Sequence, residues 1–351
     1  MSVSCWWLSL CIAALFIAAK YFNRNWLASI TLLYTLLSGV SVLALKRYPF
    51  APIPIQQALM CTSLWGILSV LTVIIISEHL FKVFGEYWFN AGVYLLTLSN
   101  ACLVIFNAIF FGVTYGNHGY TGFVLNASMN GCLIALGAGS AVKERAWAGL
   151  GIIILAVTLS LSSIPIGVLC VSLSAHLICM FRGKDILKWL VLVGAASLFC
   201  GLISSGSLLF DSAGRFEAYK IFMSEWWNRG MILFGTGLGT FQVMSPQMQA
   251  KHNFMMSMSG EGHYWPTMHS DWLQCLFELG VVGLVLYATL FCKTMRKLYE
   301  GEKHLAFSVL SGIAATAIFN YPFRYAVFGV IAVYTVRLAG TTTSRTRNSL
   351  A

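Results

Sequence analysis

Residues 146–181 read AWAGLGIIILAVTLSLSSIPIGVLCVSLSAHLICMF, two apolar runs parted by Ser162-Ser163-Ile164-Pro165 and free of Asp, Glu, Lys and Arg. A spanning helix needs about 20 mostly apolar residues, so this stretch supplies two candidates back to back, at 146–162 and 165–181. Outward from it, runs of the same kind recur at 4–19, 25–45, 57–76, 91–112, 122–142, 187–204, 272–292, 305–320 and 325–340. The pattern predicts an all-α polytopic transmembrane helical bundle of about eleven spans (range about 10 to 12), forming a single integral membrane domain over residues 1–351. The run at 4–19 lacks a basic n-region and an A-x-A site, and is read as a retained span.

Composition agrees. Of 351 residues, 58% are hydrophobic and 10% charged, with a mean hydropathy of +0.77, whereas soluble domains carry roughly a quarter charged residues. The net charge of +10 is scattered between apolar runs rather than gathered on one face, which argues against nucleic acid as a partner. Ten Cys form no C-x-x-C pair and sit mostly inside apolar runs as small hydrophobes, so no disulfide framework is expected.

Sorting the 22 Lys and Arg by loop parity puts fifteen on one side. The other seven are Lys46, Arg47, Arg215, Lys220, Arg229, Lys251 and Arg324. The positive-inside rule makes the richer side cytoplasmic, so the long segment 205–268, between the eighth and ninth spans, faces outward.

That segment is too long to be a mere connector. After Gly214-Arg215, the residues Phe216, Tyr219, Met223 and Trp226 or Trp227 recur at helical spacing, with Glu217, Lys220, Ser224 and Asn228 opposite. The expectation is an amphipathic helix resting at the interface, its tryptophans at headgroup depth. Gly235-Thr236-Gly237-Leu238-Gly239-Thr240-Phe241 follows, where Gly237 and Gly239 either let backbone amides approach an anion or simply allow a tight turn. The segment closes on Met268-His269-Ser270-Asp271-Trp272-Leu273-Gln274, then Glu278-Leu279-Gly280. Ser270 or Asp271 is the expected N-cap of the ninth span. Glu278, two turns in, is expected to pair with a basic residue.

The order of these features, from Gly-Arg through the Gly-x-Gly-x-Gly turn to His-Ser-Asp-Trp-Leu-Gln and Glu-Leu-Gly, resembles the O-antigen ligase and O-antigen polymerase superfamily of bacterial envelope glycosyltransferases. The likeness covers residues 214–324 and ends on Asn320-Tyr321-Pro322-Phe323-Arg324, similar to the Asn-x-Pro break between that family's last helices. The resemblance implies an inner-membrane enzyme with its active site facing the periplasm. It would move a glycan from undecaprenyl diphosphate to a hydroxyl of a glycan, of lipid A core or of a protein. No metal, nucleotide sugar or other cofactor is implied. By the same resemblance Arg215 engages the diphosphate and His269 is the base. The family's arginine after a serine between two middle spans is missing from Ser162-Ser163-Ile164-Pro165, so a second diphosphate contact would have to come from Lys46, Arg47 or Arg324. The reading favoured by the residues themselves is that Arg324 anchors the last hairpin and that Lys46 and Arg47 meet headgroups.

Residue chemistry fits these roles. Cleaving a glycosyl–phosphate bond builds negative charge on the leaving diphosphate, and a guanidinium binds phosphate through a permanently charged planar fork. An imidazole with unperturbed pKa near about 6.5 can take the acceptor proton at neutral pH. A single displacement inverts the anomeric centre. Two rivals of another class are a transporter and a copper-handling protein, the latter because eight of thirteen Met lie in 205–268 with His252, His263 and His269. Within the spans, Asn100 with Asn107 and Asn126 with Asn130 mark polar faces, expected to hydrogen-bond between helices or to line a crevice. His176 is expected as a packed, hydrogen-bonded residue.

Overall fold

A computed structural model describes residues 26–44, 53–111, 120–124, 126–181, 215–228, 230, 232–252, 256–258, 261–263 and 268–341. Among them the chain is helical apart from turns, a short extended stretch before residue 127 and one small antiparallel hairpin. The helices are α1 (Trp26–Ala44), α2 (Ile53–Phe106, continued by a π turn at Asn107–Phe111), α3 (Ala127–Ala135), α4 (Ala138–Lys143), α5 (Trp147–Leu159) and α6 (Ser163–Met180). After α7 (Arg215–Asn228) and α8 (Phe241–Lys251), strands β1 (Met256–Met258) and β2 (Glu261–His263) form the hairpin. The chain then runs through α9 (Asp271–Glu300), α10 (His304–Phe319) and α11 (Ala326–Gly340).

Among the described residues four helices are long and apolar enough to cross a membrane: Pro54–Gly85, Trp88–Phe111, Ser163–Met180 and Asp271–Glu300. Shorter apolar helices fall at Trp26–Val42, Trp147–Leu159, His304–Ile318 and Ala326–Gly340. α9 is kinked at Gly280, and at 1.5 Å per residue the limb from there to Glu300 is about 30 Å long, close to the ~30 Å of bilayer hydrocarbon. The expected spans 4–19 and 187–204 lie outside the described residues, as do Lys46 and Arg47.

The spans at 57–76 and 91–112 fall on two helices that could each cross a membrane, Pro54–Gly85 and Trp88–Phe111, parted within α2 by a kink at Gly85 (φ 59°, ψ −163°). One expectation needs correcting. The span at 122–142 is not one helix: an extended stretch precedes α3, and Leu136–Gly137 separates α3 from α4. Hydropathy measures composition and is blind to such breaks.

The chain divides into two compact units, Met1–Glu78 with Ser212–Lys293, and His79–Asp211 with Thr294–Ala351. In the second unit, small residues bring neighbours close: Thr97 lies against Gly137, Pro165 and Ser160 against Gly131, and Ser308 and Leu305 against Gly139. The extended stretch is held by side-chain amides. Asn100 Oδ1 accepts from Phe123 N (2.8 Å), Asn130 Oδ1 accepts from Val124 N (3.1 Å), and Asn107 Nδ2 donates to the Thr121 carbonyl (2.8 Å). Asn126 caps α3 by accepting from Met129 N at 3.0 Å. Backbone that leaves the helix inside an apolar body must find partners for its polar groups. Asn100, Asn107 and Asn130 supply them, so these three bond to the extended stretch rather than from helix to helix.

One end of this unit gathers Asn126 with Tyr321 (3.3 Å), Ser128 with Ser162 (3.1 Å) and Asn320 with Ser128 (3.3 Å). Toward the other end, Lys303 donates to Thr341 (2.8 Å), and Tyr334 donates to the Gly85 carbonyl (2.6 Å) between the rings of Phe81 and Phe89. His176 is buried among these helices, and neither ring nitrogen has a hydrogen-bond partner among the described residues, contrary to expectation.

Candidate functional site

The site sits in the first unit, and its frame is a broken helix. At Gly280 the backbone of α9 leaves the helical region (φ 70°, ψ −172°). An unbroken helix would bond Val281 N to Phe277 O and Val282 N to Glu278 O. Here Val281 N donates to the Ile232 carbonyl (2.9 Å) and Val282 N to the Leu233 carbonyl (3.1 Å). The carbonyls so released accept from the glycine turn: Phe277 O from Thr236 N (2.9 Å), Glu278 O from Gly237 N (2.8 Å). The Leu279 carbonyl is taken by the Tyr34 hydroxyl at 2.6 Å. Residues 232–237 thus form a clip that supplies partners for Val281 N, Val282 N and the carbonyls of Phe277 and Glu278.

The glycine turn also holds an anionic side chain. Glu278, buried, accepts from Gly239 N through Oε2 (2.9 Å) and from Phe241 N through Oε1 (3.3 Å). Gln274 Nε2 reaches the same Oε1 at 3.1 Å. Where the sequence suggested a basic partner for Glu278, amides occupy three of its lone-pair positions. The cradle allowed for at Gly237 and Gly239 therefore embraces the chain's own carboxylate, at the N-terminus of α8, where a helix dipole favours it. Ser63 closes the turn from α2 by donating to the Leu238 carbonyl at 2.7 Å.

Around this frame lies an aromatic core. Phe241 packs edge-on against Phe222 (4.8 Å) and Phe277 (5.2 Å), with Val42, Leu59, Ala218, Trp226, Met244, Met248 and Met268 buried beside them. The amphipathic helix is present as α7, but its buried face is Ala218, Phe222, Glu225 and Trp226, directed into protein. Of the two tryptophans only Trp227 is exposed, at 65%. Phe222 and Trp226 thus pack into the aromatic core beside Phe241 and Phe277, while Trp227 faces away from it.

His269 stands at the mouth of α9 with φ +52°, in the left-handed region. A non-glycine residue there costs roughly 1–3 kcal/mol and persists only when its neighbours fix it. Both neighbours do. Met268 is fully buried in the aromatic core, and buried Ser270 begins α9, its carbonyl accepting from Gln274 N (2.9 Å) and its Oγ from Leu273 N (3.4 Å). The cap is thus Ser270, with Asp271 in the first turn. A third restraint comes from α7, whose Tyr219 hydroxyl donates to the His269 carbonyl at 3.1 Å.

Arg215 opens α7, exactly one i, i+4 step before Tyr219, so positions 215 and 219 share a helix face. The Arg215 side chain is outside the described residues. Arg324 belongs to the second unit, in the turn Pro322–Arg324, exposed, with its guanidinium 6.0 Å from the Tyr321 ring.

The thioethers of Met244, Met248 and Met268 fill the core. His252 Nε2 lies 2.9 Å from Glu225 Oε1, which also receives Lys251 Nζ at 2.6 Å, tying α8 to α7. The His263 side chain is outside the described residues. Among the described residues no group of three or more His, Cys, Asp and Glu is arranged to hold a metal ion.

Sequence reasoning placed Tyr219 only as one member of an apolar stripe, and gave no sign that Glu278 would meet the glycine turn. The hint available for the second was a carboxylate and a run of alternate glycines, each without an evident partner. No family model matches the chain, and neither does any curated protein.

Proposed function

We propose that this is a multi-pass protein of a bacterial inner membrane, with about eleven spans and the 205–268 segment on the periplasmic side. In this reading it transfers a glycan from an undecaprenyl-diphosphate donor to a hydroxyl of a glycan, lipid A core or protein acceptor. The acceptor oxygen attacks the anomeric carbon as the bond from that carbon to the phosphate oxygen breaks, inverting the centre. His269 takes the hydroxyl proton, and Arg215 balances the charge that collects on the departing diphosphate.

The observation that carries this reading is the Tyr219–His269 hydrogen bond. It ties the helix that begins with Arg215 to the residue at the mouth of α9, so two positions 54 apart in the sequence belong to one locality of one unit. The left-handed backbone at His269 adds weight, since strained conformations concentrate at functional sites. Gly237 and Gly239 act in this reading through Glu278, holding the frame. Arg324, Lys46 and Arg47 remain candidates for a second contact to the donor.

The test is reconstitution of the purified protein with a lipid-linked glycan and an acceptor. Arg215→Ala and His269→Ala are expected to insert normally and to lose transfer, with His269→Ala down by about 10²- to 10⁴-fold. Transfer at the wild-type rate by either variant removes that residue from the mechanism.

A further inference from the structure

We infer that Tyr219 is a positioning residue for His269, an inference that rests on the reading of His269 as the base. The ring of a histidine is aimed by its backbone, and at residue 269 that backbone is left-handed (φ +52°). Burial of Met268 and the cap at Ser270 fix the chain on either side. Neither bonds the peptide group that His269 itself contributes to Ser270. The Tyr219 hydroxyl does so, donating to the His269 carbonyl at 3.1 Å from the middle of α7.

The donor's own position is well fixed. Tyr219 lies between Ala218 and Phe222, both fully buried, and α7 is held to α8 further along by Glu225 with Lys251 and His252. The hydroxyl is therefore presented from a packed helix, so it can impose a position on residue 269. The same bond sets the distance between residue 269 and the start of α7, where Arg215 stands. Tyr219 touches neither donor nor acceptor in this scheme. It acts by keeping the imidazole at the angle from which proton removal is effective, and geometric errors of about 1 Å at such a centre can cost on the order of 10²-fold in rate.

The experiment compares Tyr219→Phe, His269→Ala and the double variant in the reconstituted transfer reaction. Tyr219→Phe keeps the ring and its packing and removes only the donor. The expected result is a fall in kcat of about tenfold or more, with KM for the lipid-linked donor near its wild-type value. The loss is expected to vanish in the His269→Ala background, because a residue that works through His269 has nothing left to position there. Hydrogen exchange at the Ser270 amide is expected to quicken in Tyr219→Phe while the midpoint of thermal unfolding stays within a few degrees.

A Tyr219→Phe protein with wild-type kcat, alongside an inactive His269→Ala, overturns the positioning role and leaves the base intact. Equal losses from Tyr219→Phe with and without His269 overturn it too, since they mark a general structural effect. If His269→Ala itself transfers at the wild-type rate, the assignment of the base fails first and the positioning role fails with it.

Discussion

Gly235 and Gly280 meet backbone to backbone, each with positive φ (67° and 70°), so close that a Cβ on Gly280 would stand 2.5 Å from the Gly235 nitrogen. Only a residue without a side chain fits at either position. Gly280→Ala is therefore expected to unseat the 232–237 clip, with a loss of stability on the order of 3 kcal/mol. Thermal unfolding in detergent checks this, with Gly151→Ala as the comparison. Nothing lies within 4 Å of a Cβ at Gly151, so that variant should be neutral or slightly stabilising. Equal midpoints for the two variants would remove the clip as a source of stability.

Glu278 offers a second test of the same frame. Its carboxylate receives Gly239 N, Phe241 N and Gln274 Nε2, all donors. Glu278→Gln turns one acceptor oxygen into an NH₂ group facing donors, which strands a buried polar group at a cost of about 1–3 kcal/mol. Glu278→Gln should unfold at lower temperature than wild type. Glu300→Gln, on the exposed pair with Arg296, should not.

The aromatic core predicts the largest loss of the set. Phe241 is fully buried between Phe222 and Phe277 and stands at the first position of α8. Phe241→Ala should cost about 3–5 kcal/mol, and Phe241→Leu markedly less, by unfolding midpoint. Similar midpoints for the two would mean that the site collapses around the gap.

These tests fall where the sequence was least informative. The expected runs 25–45, 146–162, 165–181, 305–320 and 325–340 correspond to helices Trp26–Ala44, Trp147–Leu159, Ser163–Met180, His304–Phe319 and Ala326–Gly340. A long apolar run bounded by polar or helix-breaking residues has few other ways to fold in lipid. Continuity is another matter. Whether 122–142 stays helical is decided by Asn100 and Asn107, which bond to residues 121–123 from another helix. The partnership of Glu278 with Gly239 joins residues 39 apart, and no local pattern encodes it. His269 was legible as a candidate from its neighbours in the sequence. Its left-handed backbone and its bond to Tyr219 were not, because both follow from packing.

The asparagine bracket yields a fourth prediction. Asn126 caps α3 and also donates to Tyr321 Oη at 3.3 Å, whereas the buried Asn100 accepts from the backbone N–H of exposed Phe123. Asn126→Ala should cost about 1 kcal/mol, the ordinary value of a cap. Asn100→Leu removes the acceptor of this part-buried N–H and should cost about 0.5–1.5 kcal/mol. A leucine variant as stable as wild type would mean that water or a shift of the extended stretch meets the need of Phe123 N.

Orientation is the last prediction, and it follows from which ends of the helices lie together. Asn126, Ser128, Ser162, Asn320 and Tyr321 join at one end of the second unit, beside Arg324. Lys143 ends α4, whose Gly139 lies against Leu305 at the start of α10, and Lys303 bonds Thr341 just past α11. Lys143, Arg145, Lys303 and Arg337 thus lie towards the end away from Tyr321, and short loops rich in Lys and Arg stay in the cytoplasm. Alkaline phosphatase, which is active only outside the cytoplasm, should be silent when fused after Glu144 or Gly301 and active when fused after Arg324. Because α9 runs from Asp271 to Glu300, an active fusion after Gly301 would leave the start of that crossing, and His269 just before it, on the cytoplasmic face. There a lipid-linked donor displayed on the periplasmic leaflet could not reach His269, and the proposed transfer would have to be abandoned even with every side-chain contact unchanged.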